Sequence, residues 1–143
     1  MAMISGHMGV AAAGFLAAEL LVEACEAGDG LHLETVRDLS EDLGRRLRQP
    51  AGVGEADSLV EAALACADLA TLAACNVAVL PDRGLPSAAA ATHLAAGVAR
   101  ALAALGEAGI GDRDDAYAGN ALRDLRSAGW KADLAVRQLG ETG

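Results

Sequence analysis

Residues 91 to 108 read ATHLAAGVARALAALGEA, and eleven of these eighteen are Ala or Leu. Alanine is the best helix former and leucine is close behind, so the run predicts a helix. His93, Arg100 and Glu107 interrupt it at intervals of seven. Seven residues fall about 20° short of two full turns, so the three polar side chains share one stripe. That stripe is either a working site or the face this helix shows to water.

The rest of the chain resembles this stretch. Alanine makes up about a quarter of the 143 residues, and Phe15, Tyr117 and Trp130 are the only aromatics. A core of Ala and Leu with little Val or Ile predicts an all-α fold, and the length fits a single-domain bundle. About five helices are expected. The first covers 8–27 and ends at GDG; the second covers 32–48, with Val36, Leu39, Leu43 and Leu47 inward. QPAGVG at 49–54 reads as a loop. The third covers 55–79 and stops at Pro81, where PDRG turns the chain into the fourth, 86–107, with Pro86 and Ser87 at its start. The fifth follows GIGD and covers 112–139, with Ala118, Leu122, Leu125, Ala128 or Gly129, Ala132, Val136 and Leu139 inward.

The segment MGVAAAGFLAA, 8–18, is apolar all round. A helix of that kind is either central or part of a subunit interface, which predicts a homo-oligomer with Gly14 in the contact. Trp130 is expected to pack on the core edge or to anchor a partner.

The net charge of −9 argues against a nucleic-acid partner, which needs a basic face. The acidity is concentrated. Glu19, Glu23, Glu26 and Asp29, then Glu55, Asp57, Glu61 and Asp68, are eight carboxylates in two segments with no base. Cys25, Cys66 and Cys75 are odd in number, lack CxxC spacing and sit in apolar runs, so buried free thiols and a cytoplasmic location are expected. The apolar start has no basic region and meets Glu19 too soon to span a bilayer, so no membrane partner is expected.

A tight turn near 82–84 makes the third and fourth helices antiparallel. Counting outward from it sets Asp68 level with about residue 98 and Glu61 level with about 105. Asp68 and Arg100 are then in reach of each other, either as an ion pair between helices or as parts of a polar pocket. In the pocket reading His93 and Asp68 are the catalytic residues, His93 shuttling protons, while Arg100 holds an anionic substrate group. Glu61, Glu19 and Asn120 are the further substrate-binding candidates. Glu19, Glu23 and Glu26 form one stripe at i, i+4 and i+7. Di-metal bundle sites use Glu-x-x-His pairs and none occurs here, so the stripe reads as a solvated acidic face and no metal is expected.

RGLPSAAAATHLAAGVARALAAL (83–105) and SGHMGVAAAGFLAAELL (5–21) resemble stretches of the cyclodeaminase/cyclohydrolase family, all-helical enzymes acting on formimino- and methenyl-tetrahydrofolate. Ser87 is followed by Ala88, where that family has Ser-Asp. The resemblance implies a hydrolase or lyase and a folate derivative as ligand. THLAAG (92–97) is similar to the exposed-histidine context of histidine phosphotransfer domains, without their lysine. The sequence therefore predicts a small all-helical enzyme or small-molecule-binding protein with a polar pocket between the third and fourth helices. The alternative is a non-catalytic helical interaction or assembly module.

Overall fold

The computed structural model describes residues 2–48 and 55–142, with side chains described over 9–48 and 58–141. The expected loop at 49–54 lies outside the described residues. The fold is all-α: α1 (Ala2–Glu26), α2 (Leu31–Arg48), α3 (Glu55–Asn76), α4 (Leu85–Ile110) and α5 (Ala116–Thr142), with two 3-10 turns, Val77–Val79 and Asp82–Gly84, between α3 and α4. Local chemistry sets the boundaries. Gly30 takes a φ of 110°, open to glycine, and turns the chain from α1 into α2. Pro81 at φ −67° and ψ 155° is extended and keeps α3 and α4 apart. Gly111 at φ 59° ends α4. Asp115 caps α5 by accepting the Ala118 N–H at 2.9 Å, so α5 starts at Ala116 and not at 112.

The hairpin α3–α4 is the spine. α1 packs along α4 and α2 along α1, while α2 touches α3 more lightly and closes a ring of four. α5 lies outside that ring, seated on both α3 and α4. The core is Ala with a few Leu: Leu21, Leu69, Leu102 and Leu125 are the large fully buried aliphatic side chains. Small side chains let the helix axes approach closely, so a helix can be enclosed even in so small a bundle. The enclosed helix is α3, buried at Ala63, Cys66, Ala67, Leu69, Ala70 and Ala73. Of the two readings of the apolar run 8–18, the central helix does not apply to α1, which keeps Gly9, Ala12 and Leu16 exposed.

Close approaches run through glycines. A Cβ at Gly14 would stand 2.7 Å from Cys66 Sγ and 3.2 Å from Leu47 Cδ1. Gly14 therefore faces the chain's own core and not a subunit contact, which corrects the sequence expectation for it. At Gly84 a Cβ would stand 2.7 Å from the Ala24 carbonyl oxygen, and at Gly106 it would meet Leu125 Cδ1 at 2.6 Å.

Other sequence expectations shift by a residue or two. On α2 the inward residues are Leu33, Val36, Ser40, Leu43, Gly44 and Leu47, while Leu39 is 49% exposed. Ser40 and Gly44 replace it because they are small enough to let α1 in: a Cβ on Gly44 would be 3.1 Å from the Ala18 methyl. The Ser40 hydroxyl donates to the Val36 carbonyl at 2.8 Å and is satisfied. On α5 Ala118, Ala121, Leu125, Ala128, Ala132 and Ala135 are buried, with Leu122, Val136 and Leu139 at the edges. Trp130, 200° around the helix from Ala132, is 61% exposed and does not pack on the core edge. Two segments, Ser58–Val79 and Asp82–Ile110, are long and apolar enough to cross a membrane, but about half of each is buried within the bundle as its central hairpin.

Candidate functional site

The residues singled out in the sequence do not converge. Asp68 stands between the buried Ala67 and Leu69, at the rim where α3 meets α5, with its carboxylate 3.8 Å from Lys131 Nζ. Arg100 stands beside the buried Ala99, at the rim where α4 meets α5, and donates to Asp133 Oδ1 at 2.9 Å. The expected partner from the first or third helix, Asp68 or Glu61, is not the one it has. The reason lies in α5. Ala132 is fully buried, and Lys131 and Asp133 flank it at 100° on either side. One reaches α3 and the other α4. A second tie on the α4 side sets Arg126 Nε 3.6 Å from Glu107 Oε1. Two members of the opening stripe, Arg100 and Glu107, are thus the α4 half of a clamp on α5.

His93 is turned the other way. It is exposed and lines a groove of about 450 Å³ between α1 and α4, together with Gly9, Val10, Ala13, Gly97 and Ala101. Among the described residues no carboxylate or base lines that groove besides the imidazole. Glu61 is half-buried on α3, and Asn120 is exposed in the first turns of α5. Glu19 lies on the opposite flank of α1, in a groove of about 770 Å³ shared with α2, whose walls hold Glu19, Glu23, Glu26 and Glu41. No cluster of His, Cys, Asp or Glu suited to a metal ion occurs among the described residues.

Several polar features were missed in the sequence. Arg37 sits 4.0 Å from Glu26, 4.0 Å from Asp38 and 3.9 Å from Glu41, tying α2 to the end of α1, while its buried Nε finds no hydrogen-bond acceptor among the described residues. Arg48 lies over the Phe15 ring at 5.0 Å. His32 joins the start of α2 to the end of α3 through Asn76 Oδ1 at 2.6 Å. Because Asn76 Nδ2 donates to the Leu72 carbonyl, its Oδ1 is the acceptor, and His32 Nε2 must carry the proton. Asp115 is held below the usual carboxylate range by the Ala118 N–H and then by Arg113. The i,i+4 spacing of Arg37 and Glu41 was a signal for the first of these, and Asp115 three residues before Ala118 for the last; the Arg48 and His32 contacts depend on which helices meet.

The thiols divide. Cys25 and Cys66 are buried and Cys75 is exposed, against the expectation that all three are buried. Burial pushes the Cys66 thiol up to about 12, and burial also raises Cys25. Neither is poised as a nucleophile. No protein-family profile, curated protein or solved structure matches this chain.

Proposed function

We propose that this chain is a non-catalytic helical interaction module that assembles with a second copy of itself across the outer face of α1 and α4. The observation that carries the reading is the uncharged strip along these two helices. Gly9, Ala12 and Leu16 of α1 and Ala90, Ala101 and Ala104 of α4 are exposed, and His93 is the one titratable side chain among the described residues lining the groove between them. Copies of a chain carrying −9 repel one another elsewhere, and this face holds no carboxylate in its groove. Gly97 adds to the argument. It lies inside α4, where glycine costs about 1 kcal/mol relative to alanine, yet a Cβ there would meet nothing within 4 Å of its own chain. Open space over a helical glycine suits the close approach of another helix.

The polar residues support the same reading. Asp68 and Arg100, the pocket candidates, are engaged with Lys131 and Asp133 and hold α5 in place. A cytoplasmic setting fits the free thiols. Sedimentation equilibrium tests the proposal. The expected result is a dimer at micromolar concentration that Ala101→Glu, exposed and harmless to the fold, converts to monomer. A wild-type chain that stays monomeric at 100 micromolar, or an Ala101→Glu chain that assembles as before, overturns it.

A further inference from the structure

The second groove of α1 differs from the first in chemistry. Its volume is about 770 Å³, and Phe15, Leu16 and Leu20 give it an apolar lining, with Leu16 54% exposed. Glu19 and Glu23 stand along its α1 wall and Glu41 on its α2 wall. Arg45 also lines the groove but lies 3.3 Å from Asp42, Arg46 lies 3.1 Å from the same carboxylate, and Arg37 is shared between Glu26 and Glu41. Glu19 and Glu23 have no ion-pair partner among the described residues. An apolar floor beside uncompensated carboxylates spaced one helical turn apart has a definite complement.

We infer that the α1–α2 groove docks a basic amphipathic helix from a partner protein. Its apolar stripe covers Phe15, Leu16 and Leu20, and two Lys or Arg residues at i and i+4 face Glu19 and Glu23. A second copy of this chain offers Arg123 and Arg137 beside the exposed Trp130 on α5, and self-association lost in Glu19→Lys/Glu23→Lys without peptide binding to wild type would name that copy as the occupant and overturn the inference. The inference rests on the interaction-module reading and adds the class of partner.

Fluorescence anisotropy with a labelled 18-residue peptide of Leu and Lys in helical periodicity tests it. Saturable binding is expected, at least tenfold weaker in Glu19→Lys/Glu23→Lys and unchanged in Asp112→Lys/Asp114→Lys, which alters the net charge equally on an exposed loop elsewhere. Leu20→Ser, on the floor, is expected to weaken binding as well. Circular dichroism of each variant confirms that the bundle is intact. Absent binding, equal loss in both charge variants, or equal affinity for a Lys/Gly peptide of the same charge overturns the inference. Sedimentation of the same samples separates the two readings: a monomeric wild type that binds the peptide removes self-association alone, and a dimer that ignores the peptide removes the groove alone.

Discussion

The α3–α4 hairpin is covered on two sides, and the two covers are edged differently. On one side α5 is bordered by charged pairs along both rims, Lys131 to Asp68 and Arg126 and Arg100 to Glu107 and Asp133. On the other, α1 packs along α4 with Gly14 close to Cys66 and Val98, and no ion pair joins it to α4 among the described residues. Charge along a rim marks a helix whose outer neighbour is water, because long cationic side chains can bridge there while their ends stay wet. Its absence along α1–α4 leaves an apolar edge uncovered. The difference separates a helix edge lined by charge from one lined by apolar side chains.

The comparison implies that burial, not charge, holds both covers. Leu125→Ala on the α5 side and Leu21→Ala on the α1 side remove side chains 1% and 0% exposed. Each is expected to lower unfolding free energy in urea by about 2–5 kcal/mol, from lost transfer energy and the cavity left behind. If Leu125→Ala costs under about 1 kcal/mol, α5 is held by its ion pairs after all, and the contrast between the sides breaks down.

Overpacking comes next. Gly14→Leu drives a branched side chain into Cys66 Sγ and Leu47 Cδ1, and Gly106→Leu does the same against Leu125. Each is expected to cost about 1–3 kcal/mol. The measurement is thermal unfolding at high dilution, where any assembly is absent. A Gly14→Leu chain that melts as wild type when dilute, but no longer assembles, would return Gly14 to a subunit contact.

The fold was legible because helix identity depends on local terms: alanine content, the glycines at 28, 30 and 111, and Pro81 all act within a turn of themselves. The registers were partly legible. Periodicity found Val36, Leu43 and Leu47, but it preferred Leu39 to Ser40 and Gly44, since a hydrophobic stripe does not reveal that a neighbouring helix needs small residues for close approach. The site was the least legible part. Arg100 was expected to pair with Asp68 or another carboxylate of the first or third helix, and its partner is Asp133 of α5 instead, because the sequence does not say on which side of the hairpin the fifth helix settles. The two grooves flanking α1 were invisible for the same reason: each is made by a pair of helices, and neither half shows it alone.

Arg100→Ala should have a smaller effect than either packing change. The Arg100 and Asp133 side chains are 47% and 54% exposed, so water screens the pair. Such a pair contributes under about 1 kcal/mol. Chemical denaturation at low and at high salt measures it, with the wild-type advantage shrinking as salt rises. A loss of 3 kcal/mol that salt does not touch would mean that α4 and α5 exclude water at this rim, contrary to the open edge described above.

The smallest expected effect has the opposite sign and bears most directly on the uncovered edge. Gly97 in α4 and Gly129 in α5 are both interior to helices, and a Cβ on either would meet nothing within 4 Å. Alanine at each should raise stability by up to about 1 kcal/mol, through helix propensity and a less flexible unfolded chain. At high dilution the two variants should gain alike. At concentrations where the proposed dimer forms, Gly129→Ala should keep its gain, because α5 lies away from the proposed self-association face. Gly97→Ala should lose part of its own, because the added methyl holds the partner helix off. The readout is therefore how each gain depends on protein concentration, with the two glycines serving as each other's control. Equal gains at both concentrations would take Gly97 out of any interface, and the strip along α1 and α4 would then be a bare surface like the outer face of α5.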